Sequence, residues 1–394
     1  AVMRIVVVGL GQCGSRVADE FARMGKMAQK QRNIQIIMGV YAVNTDQADL
    51  SGLKTISPDY HHRLLIGGRK TSGHGVGKIN ELGAEVARND KDKIVDAIRS
   101  GSRFYETDAF FLIAGAAGGT GSGSLPIVAD TIKERYPEKP VYALVVLPFS
   151  YEEESEERCV YNAATCLKSV HSVADAVFLA DNQRYLKKDS NLLNNMDKMN
   201  EQIVSPFFEL LCAGEEVKRG NIGAKTLDAG DIMQTLESWT VIGIGKTPLG
   251  TFRKMPFERT RSFRAKGRET FRGLEAMNQA MSEMSATINP ADAAKALYLL
   301  SAPQKEMNVE LVKELGSLMR EVSEDALIRS GDYPRERSDL SVTVIFSQLR
   351  DVPRVKHLFS TVTESAPLLK KRQKEAEDKL KEMQKASDGV PSLL

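Results

Sequence analysis

The run Ala114-Gly115-Ala116-Ala117-Gly118-Gly119-Thr120-Gly121-Ser122-Gly123-Ser124 follows directly on the apolar stretch Ala109-Phe110-Phe111-Leu112-Ile113. Five glycines interleaved with Thr and Ser, between a strand-like run and a helix, make a loop whose backbone can approach a ligand closely. Glycine carries no side chain to block that approach and tolerates the positive φ that turns successive N–H groups the same way. A loop of this kind feeding a helix N-terminus suits phosphate, because unpaired N–H donors and the helix dipole both favour an anion there. The pattern predicts nucleotide binding.

At 394 residues the chain exceeds one ordinary core, so two domains are expected. Hydrophobic residues make up 42% and charged residues 27%, with a net charge of +2. That near balance gives no general attraction to nucleic acid, and no apolar run approaches the roughly 18 residues of a membrane span. The opening Ala1-Val2-Met3-Arg4 leads straight into Ile5-Val6-Val7-Val8, without the pattern of a signal peptide. Cys13, Cys159, Cys166 and Cys212 are scattered without metal-ligand spacing and read as reduced thiols in a cytoplasmic protein.

From residue 4 to about 182, short β-branched runs alternate with helical stretches. Continuous apolar strands in such alternation predict an α/β fold with a Rossmann-like parallel sheet covered on both faces. Its ligand crevice lies beyond the carboxyl ends of the strands. Residues 191–213 read as one long helix, with Pro206 inside it. Beyond 214 come a helix near 229–238, a strand at 240–244, a helix at 269–286, and strands at 296–301 and 340–347 around a helix at 308–323. This predicts a smaller α+β unit. The expected division is 1–190, a connecting helix 191–213, a second unit 214–367, and a C-terminal helix with a frayed tail at 368–394.

Gly9-Leu10-Gly11-Gln12-Cys13-Gly14 fits the G-x-G-x-x-G dinucleotide fingerprint between the first strand and first helix. Alone it predicts an NAD(P)-dependent oxidoreductase. The acidic partner is misplaced, however: Asp46 arrives about 32 residues after Gly14 rather than about 20. A dinucleotide enzyme also has no need of the second glycine loop at 115–123 or the third at Gly73-His74-Gly75-Val76-Gly77. Three such loops at one sheet edge predict a mononucleotide wrapped from several sides. Gly245-Lys246-Thr247 imitates the end of a Walker A loop, but Thr240 occupies its required first glycine position, so an ordinary turn is expected there.

In this order the motifs resemble the tubulin/FtsZ superfamily, and within it the archaeal tubulin-like CetZ group, over roughly 3–350. Gly11-Gln12-Cys13-Gly14 is similar to the first nucleotide loop of tubulin. Ala117-Gly118-Gly119-Thr120-Gly121-Ser122-Gly123 resembles the signature G-G-G-T-G-[ST]-G, with Ala117 for the first Gly. Asn44-Thr45-Asp46 and the loop containing Gly73, His74 and Gly75 resemble the corresponding FtsZ loops. Asp181-Asn182 resembles an Asp-Asn of tubulin, and Asn200 sits where the family places a guanine-binding residue. Thr226-Leu227-Asp228-Ala229-Gly230-Asp231 resembles the synergy loop N-x-D-x-x-D, with Thr226 replacing Asn.

The resemblance implies a GTPase domain with GTP/GDP and Mg²⁺, joined by a central helix to a second, activation domain. It also implies head-to-tail protofilaments in which Asp228 and Asp231 of one subunit complete the active site of the next, and a role in cell-shape control. A filament former that binds GTP with negligible hydrolysis is a further alternative. Mg²⁺ is expected to be held mostly through water and phosphate oxygens, with Asp46 in its outer shell. The amides of Asn182 and Asn200 can each donate and accept, as a guanine edge requires, or can bridge helices instead. Asp228 and Asp231 project from one face of a helix start, where carboxylates also serve as plain N-caps. In FtsZ a Pro-Phe turn is followed by a ribose-binding Glu and a phosphate-facing Arg. After Pro148-Phe149, counting back from the Arg favours Glu154 and Arg158 but leaves open whether Glu152, Glu153 or Glu154 meets the ribose; a solvated helix start with its carboxylates on the dipole is the alternative.

The basic segment from Arg253 to Arg272, within the 246–270 region and just beyond it, stands where tubulin makes lateral contacts; a solvated loop is the alternative. Leu369, Ala376, Leu380 and Met383 form a stripe on the last helix, expected to dock on the body. The long linker and partner-binding peptide of FtsZ have no counterpart here, which argues against division-ring tethering in the FtsZ manner.

Overall fold

The computed structural model describes residues 2–215, 225–250 and 263–393. Its strands are β1 (Ile5–Leu10), β2 (Ile37–Asn44), β3 (Arg63–Leu65), β4 (Ala109–Gly115), β5 (Val141–Leu147), β6 (Ala176–Asp181), β7 (Ser238–Pro248), β8 (Ala293–Ala302), β9 (Leu327–Pro334) and β10 (Asp339–Leu349). They form one ten-stranded sheet in the order β3-β2-β1-β4-β5-β6-β7-β10-β8-β9. From β3 to β7 every pairing is parallel; β10 runs antiparallel to both β7 and β8, and β9 parallel to β8.

The helices are α1 (Gly11–Arg32), α2 (Gln47–Ser51), α3 (Gly68–Thr71), α4 (Asn80–Arg99), α5 (Gly119–Arg135), α6 (Ser150–Ser155), α7 (Glu157–His171), α8 (Asn182–Lys188), α9 (Met196–Cys212), α10 (Ala229–Thr235), α11 (Phe263–Ser282), α12 (Val309–Val322) and α13 (Pro353–Ser387). The parallel strands are buried on both faces, as continuous apolar runs require. Val6, Val8, Phe110 and Leu112 pack toward α4, α5 and α7, while Ile5, Val7, Phe111 and Ile113 pack toward α1 and α9. On the latter face Phe21, Phe111, Phe178 and Phe207 cluster with ring centroids 5.2–5.7 Å apart, which locks α1 and α9 onto β4 and β6.

The α/β class and the parallel sheet are as the sequence predicts. The strands of the second unit continue that same sheet, through β7. Ser238–Thr240 pair with β6 and Val241–Phe346 begins a ladder with β10 that ends at Pro248–Asp339.

Three local expectations need correction, and one strand was not foreseen. The long helix begins at Met196 rather than 191, because Asn195 caps it, its Oδ1 accepting from Lys198 N at 3.1 Å. Gly245-Lys246-Thr247 is interior to β7, not a turn; a Cβ on Gly245 would lie 1.8 Å from Ala276 O, so the glycine serves close packing of α11 on the strand. The strand β9 escapes periodicity because Arg329, Ser330, Gly331 and Asp332 interrupt it at the sheet edge. Finally, α13 starts at Pro353, and only its first half docks, with Val355 and Leu358 buried. Beyond Leu369 the helix is exposed through Ser387, with Leu380 61% and Met383 72% accessible. The stripe is too sparse to bury, and i,i+4 charge pairs such as Lys371–Glu375 support the helix in water instead. No described helix is long and apolar enough to cross a membrane.

Candidate nucleotide site

The largest concentration of glycine backbone lies where β1, β2, β4, β5 and β6 end, around a cleft of about 440 Å³. Of the residues singled out from sequence, Gly11, Gln12, Cys13, Asn44, Asp46, Gly75, Gly118, Gly119, Thr120, Gly121, Asn182 and Asn200 all line it. The first and second glycine loops are in contact: a Cβ on Gly11, whose φ is +73°, would stand 2.8 Å from Gly121 N.

Two helices, α1 and α5, point their N-termini into this cleft. Neither start has a side-chain cap or an acidic residue in its first turn. Their first-turn N–H groups are therefore left for an anion, with the positive end of each dipole behind them. The glycines of α5 are also demanded from behind. A Cβ on Gly119 would meet Val76 Cγ2 at 2.6 Å and Ile79 N at 2.8 Å, and one on Gly123 would meet Asn80 O at 2.0 Å. Gly118 faces open space instead.

The second and third loops are tied together from the side. Asn162, fully buried on α7, donates through Nδ2 to Lys78 O at 2.9 Å and to Ala117 O at 3.0 Å. Thr45 Oγ1 and Thr120 Oγ1 share a hydrogen bond of 2.6 Å across the cleft floor. Gly75 N donates to Thr45 O at 3.1 Å, drawing the third loop toward Asn44-Thr45-Asp46. Asp46 caps α2, with Oδ1 accepting from Ala48 N and Asp49 N at 2.9 and 3.1 Å.

Other predicted residues lie off the cleft lining. Gly14 sits behind it, where a Cβ would be 2.2 Å from Ile113 O, so it serves the packing of α1 on β4. Gly73 O accepts from Gln47 N, and His74 is exposed. Ser122 turns its hydroxyl back to Gly118 O. Glu154 is exposed, and it is Glu152 and Glu156 that face the cleft. Arg158 lies over the Tyr161 ring at 4.7 Å and contacts Glu81. Asp228 and Asp231 start α10, which packs against β8, and form a reciprocal capping box: Asp231 N donates to Asp228 Oδ1 at 2.9 Å, and Asp228 N to Asp231 Oδ2 at 3.3 Å. Of the basic segment, Arg253, Lys254, Arg259 and Arg261 lie outside the described residues.

Sequence reasoning missed Asp49, Lys78 and Asn162, and favoured Glu154 over Glu152. Asp49 accepts from Gln12 Nε2 at 3.0 Å and Asn44 Nδ2 at 3.2 Å, joining the first glycine loop to Asn44-Thr45-Asp46. Its position three residues after the cap Asp46, one helical turn on, was the available signal. Lys78 has φ +62° and immediately follows the third glycine loop; its ammonium pairs with Glu156.

The electrostatics of the cleft are unusual for an anion site. Arg16 and Lys78 face four carboxylates, Asp46, Asp49, Glu152 and Glu156. Side chains alone therefore repel a polyphosphate. The attraction that the chain itself offers an anion is that of the two helix ends, about half a positive charge each. At the opposite end Asn182 is buried, and its Oδ1 has no partner among the described residues. The Cys13 thiol is pushed up to about 12 by burial and by the Glu152 carboxylate, so it is no nucleophile at neutral pH.

A Rossmann-like sheet with three glycine loops and two open helix ends at its carboxyl edge is the architecture of a GTPase domain of the tubulin/FtsZ type. Residues 4–189 match the tubulin/FtsZ family GTPase domain, and residues 189–364 match the C-terminal domain of tubulin-like CetZ. The chain belongs to the tubulin/FtsZ family, in its CetZ group. It is 31% identical to the tubulin-like protein CetZ1 of Haloferax volcanii over 92% of each chain, and 28% identical to CetZ of Pyrococcus furiosus over 99% of this chain and 97% of that one. Among solved structures, GDP-bound monomeric CetZ1 of Haloferax volcanii superposes with a TM-score of 0.77 at 29% identity, covering 92% of this chain and 100% of that one. The GTPγS-bound protofilament of CetZ2 from the same organism gives 0.77 at 25% identity, covering 93% and 100%. Family membership leaves the oxidoreductase alternative without support.

Proposed function

We propose that this chain binds GTP and GDP in the cleft, hydrolyses GTP, and assembles head to tail into cytoplasmic protofilaments that serve cell shape. The observation that carries the reading is the meeting in one cleft of the uncapped starts of α1 and α5 with Asn182 Oδ1, which is unpartnered among the described residues. The phosphates take the backbone N–H groups of 11–13 and 118–121. The base takes Asn182 and Asn200, whose amides match the donors and acceptor of a guanine edge. The excess of carboxylates fits a triphosphate that arrives with Mg²⁺. The ion neutralises charge between phosphate groups when bound, and Asp46 and Asp49 supply hard oxygens for its outer shell.

Hydrolysis calls for a positioned water and charge stabilisation more than covalent chemistry. In our reading Asp228 and Asp231 of an adjacent copy orient that water. This is supported by their placement together at one exposed helix start and by protofilaments among the similar structures. The replacement of the motif's Asn by Thr226 makes for slow hydrolysis. The basic segment around 246–270 is proposed to serve lateral contacts. Cytoplasmic location is in keeping with four free cysteines.

Acid release of the copurifying nucleotide, with its absorbance spectrum, tests the ligand: guanine is expected, and a nicotinamide or adenine spectrum overturns the reading. Light scattering after GTP addition, with phosphate release followed in parallel, separates a hydrolysing polymer from a passive filament.

A further inference from the structure

Arg354 is the second residue of α13, some 200 positions from the loops it touches. Its side chain, 17% accessible, contacts three residues on two separate segments. Nε stands 3.3 Å from Asp181 Oδ2, Nη1 donates to Glu153 Oε2 at 3.1 Å, and Nη2 donates to Pro148 O at 3.1 Å as well as to Glu153 Oε1. Asp181 and Glu153 are themselves only 12% accessible.

Each acceptor is one step from a residue of the cleft wall. Pro148 lines the cleft and precedes Phe149, which also lines it. Glu153 follows Glu152, whose Oε2 accepts from Phe149 N at 2.9 Å. Asp181 precedes Asn182 and divides its carboxylate: Oδ1 caps α8 through Gln183 N at 3.2 Å, and Oδ2 takes the guanidinium. The cleft wall nearest the base is thus pinned to one cation from the C-terminal helix.

Docking of α13 does not require this arrangement. Val355 and Leu358 already bury the helix, and a buried ion pair gains little over well-packed apolar residues. What a guanidinium adds is direction, because its planar fork holds three acceptors at fixed angles and a lysine cannot. Burial raises the Asp181 carboxyl and Arg354 opposes that rise, so loss of the arginine leaves a carboxyl that discharges or turns away from α8.

We propose that Arg354 is a positioning residue for purine recognition: it fixes Asp181, and through it Asn182, together with the Pro148–Glu153 turn. The inference rests on Asn182 contacting the base in the proposed GTP site. It places the sensor of base identity under the control of a helix from the other end of the chain.

The test compares GTP and ATP affinities, by competition against a fluorescent GDP analogue, for the full-length wild type, Arg354→Met and Arg354→Lys. A wild type that shows no preference for GTP sinks the parent reading before any variant is measured. Given that preference, Arg354→Met is expected to weaken GTP at least tenfold with ATP within twofold of wild type, and Arg354→Lys to restore thermal stability without restoring the GTP-to-ATP ratio. An unchanged ratio in Arg354→Met, including a parallel loss of both nucleotides, overturns the proposal. If Arg354→Met does not fold, Asp181→Asn decides in its place: it keeps a capping oxygen and loses the charge, and it must reduce the ratio in the same way.

Discussion

Helices α5 and α10 both begin at places where the proposed reaction needs them, and they are built in opposite ways. The start of α5 is glycine without a side-chain cap, so its N–H groups face the cleft unspent. At the start of α10 Asp228 and Asp231 cap one another, Arg329 Nε stands 3.7 Å from Asp231 Oδ1, and Asp228 is exposed. One end is prepared to receive an anion. The other carries carboxylates that can act only on something brought to them. The contrast is what a site shared between copies requires, since neither end holds both halves of the chemistry.

The largest expected effect breaks the contrast at α10. Asp228→Asn keeps a capping oxygen and removes the carboxylate, so folding should be preserved while GTP turnover falls about 10²–10⁴-fold, with GTP affinity nearly unchanged. Asp228→Ala adds a loss of about 1 kcal/mol of stability from the missing cap. Full phosphate release by the Asn variant removes Asp228 from the mechanism.

At α5 the same logic separates two neighbouring glycines. Gly119→Ala forces a Cβ into Val76 and the Ile79 backbone, an overpacking of about 1–3 kcal/mol that falls on the phosphate loop. Nucleotide affinity, measured by titration calorimetry, should drop about 100-fold. Gly118→Ala, with φ −76° and open space around it, should leave stability within about 0.5 kcal/mol of wild type. A large fall in melting temperature for Gly118→Ala contradicts the geometry. Asn162→Leu removes the amide that ties Lys78 O to Ala117 O, leaving Lys78 O only the longer 3.3 Å bond from Arg158 Nε; it should cost about 1–3 kcal/mol in chemical denaturation.

The smallest effect lies away from both helix starts. His171 stacks on Trp239 at 4.2 Å and shares a 2.8 Å hydrogen bond with Ser238, and burial holds its imidazole below the ordinary value of about 6.5. The folded state therefore prefers the neutral ring. Its stabilisation is present above the unfolded value and is lost as pH falls from about 6.5 through the folded one. Melting curves at pH 7.5 and 5.5 should show a smaller acid shift for His171→Phe than for wild type. An equal shift in both argues against that titration.

The cleft was legible where backbone demands show as composition. Gly119 and Gly121 are legible because close approach leaves no alternative to glycine at a strand–loop–helix junction, and Gly118 and Thr120 because they belong to the same run. Asp49 and Asn162 were not, since their roles depend on which loops meet, and Asn162 comes from a helix 45 residues past the Ala117 carbonyl it holds. Glu154 was favoured over Glu152 because counting along an acidic run cannot say which face of a short helix meets the cleft. The fold shows the same division. Alternating strands and helices declared the parallel sheet, whereas β9 stayed hidden because an edge strand does not need a buried, regular face.

The strand β7 has a consequence for any movement between the two ends of the molecule. Its first three residues are laddered to β6 and the remainder to β10, with no pliable connector between them. A torque arising among the phosphate loops has no slack in which to dissipate along this path. It reaches β8, and with it the ground on which α10 stands, as a change of pitch in one unbroken ribbon.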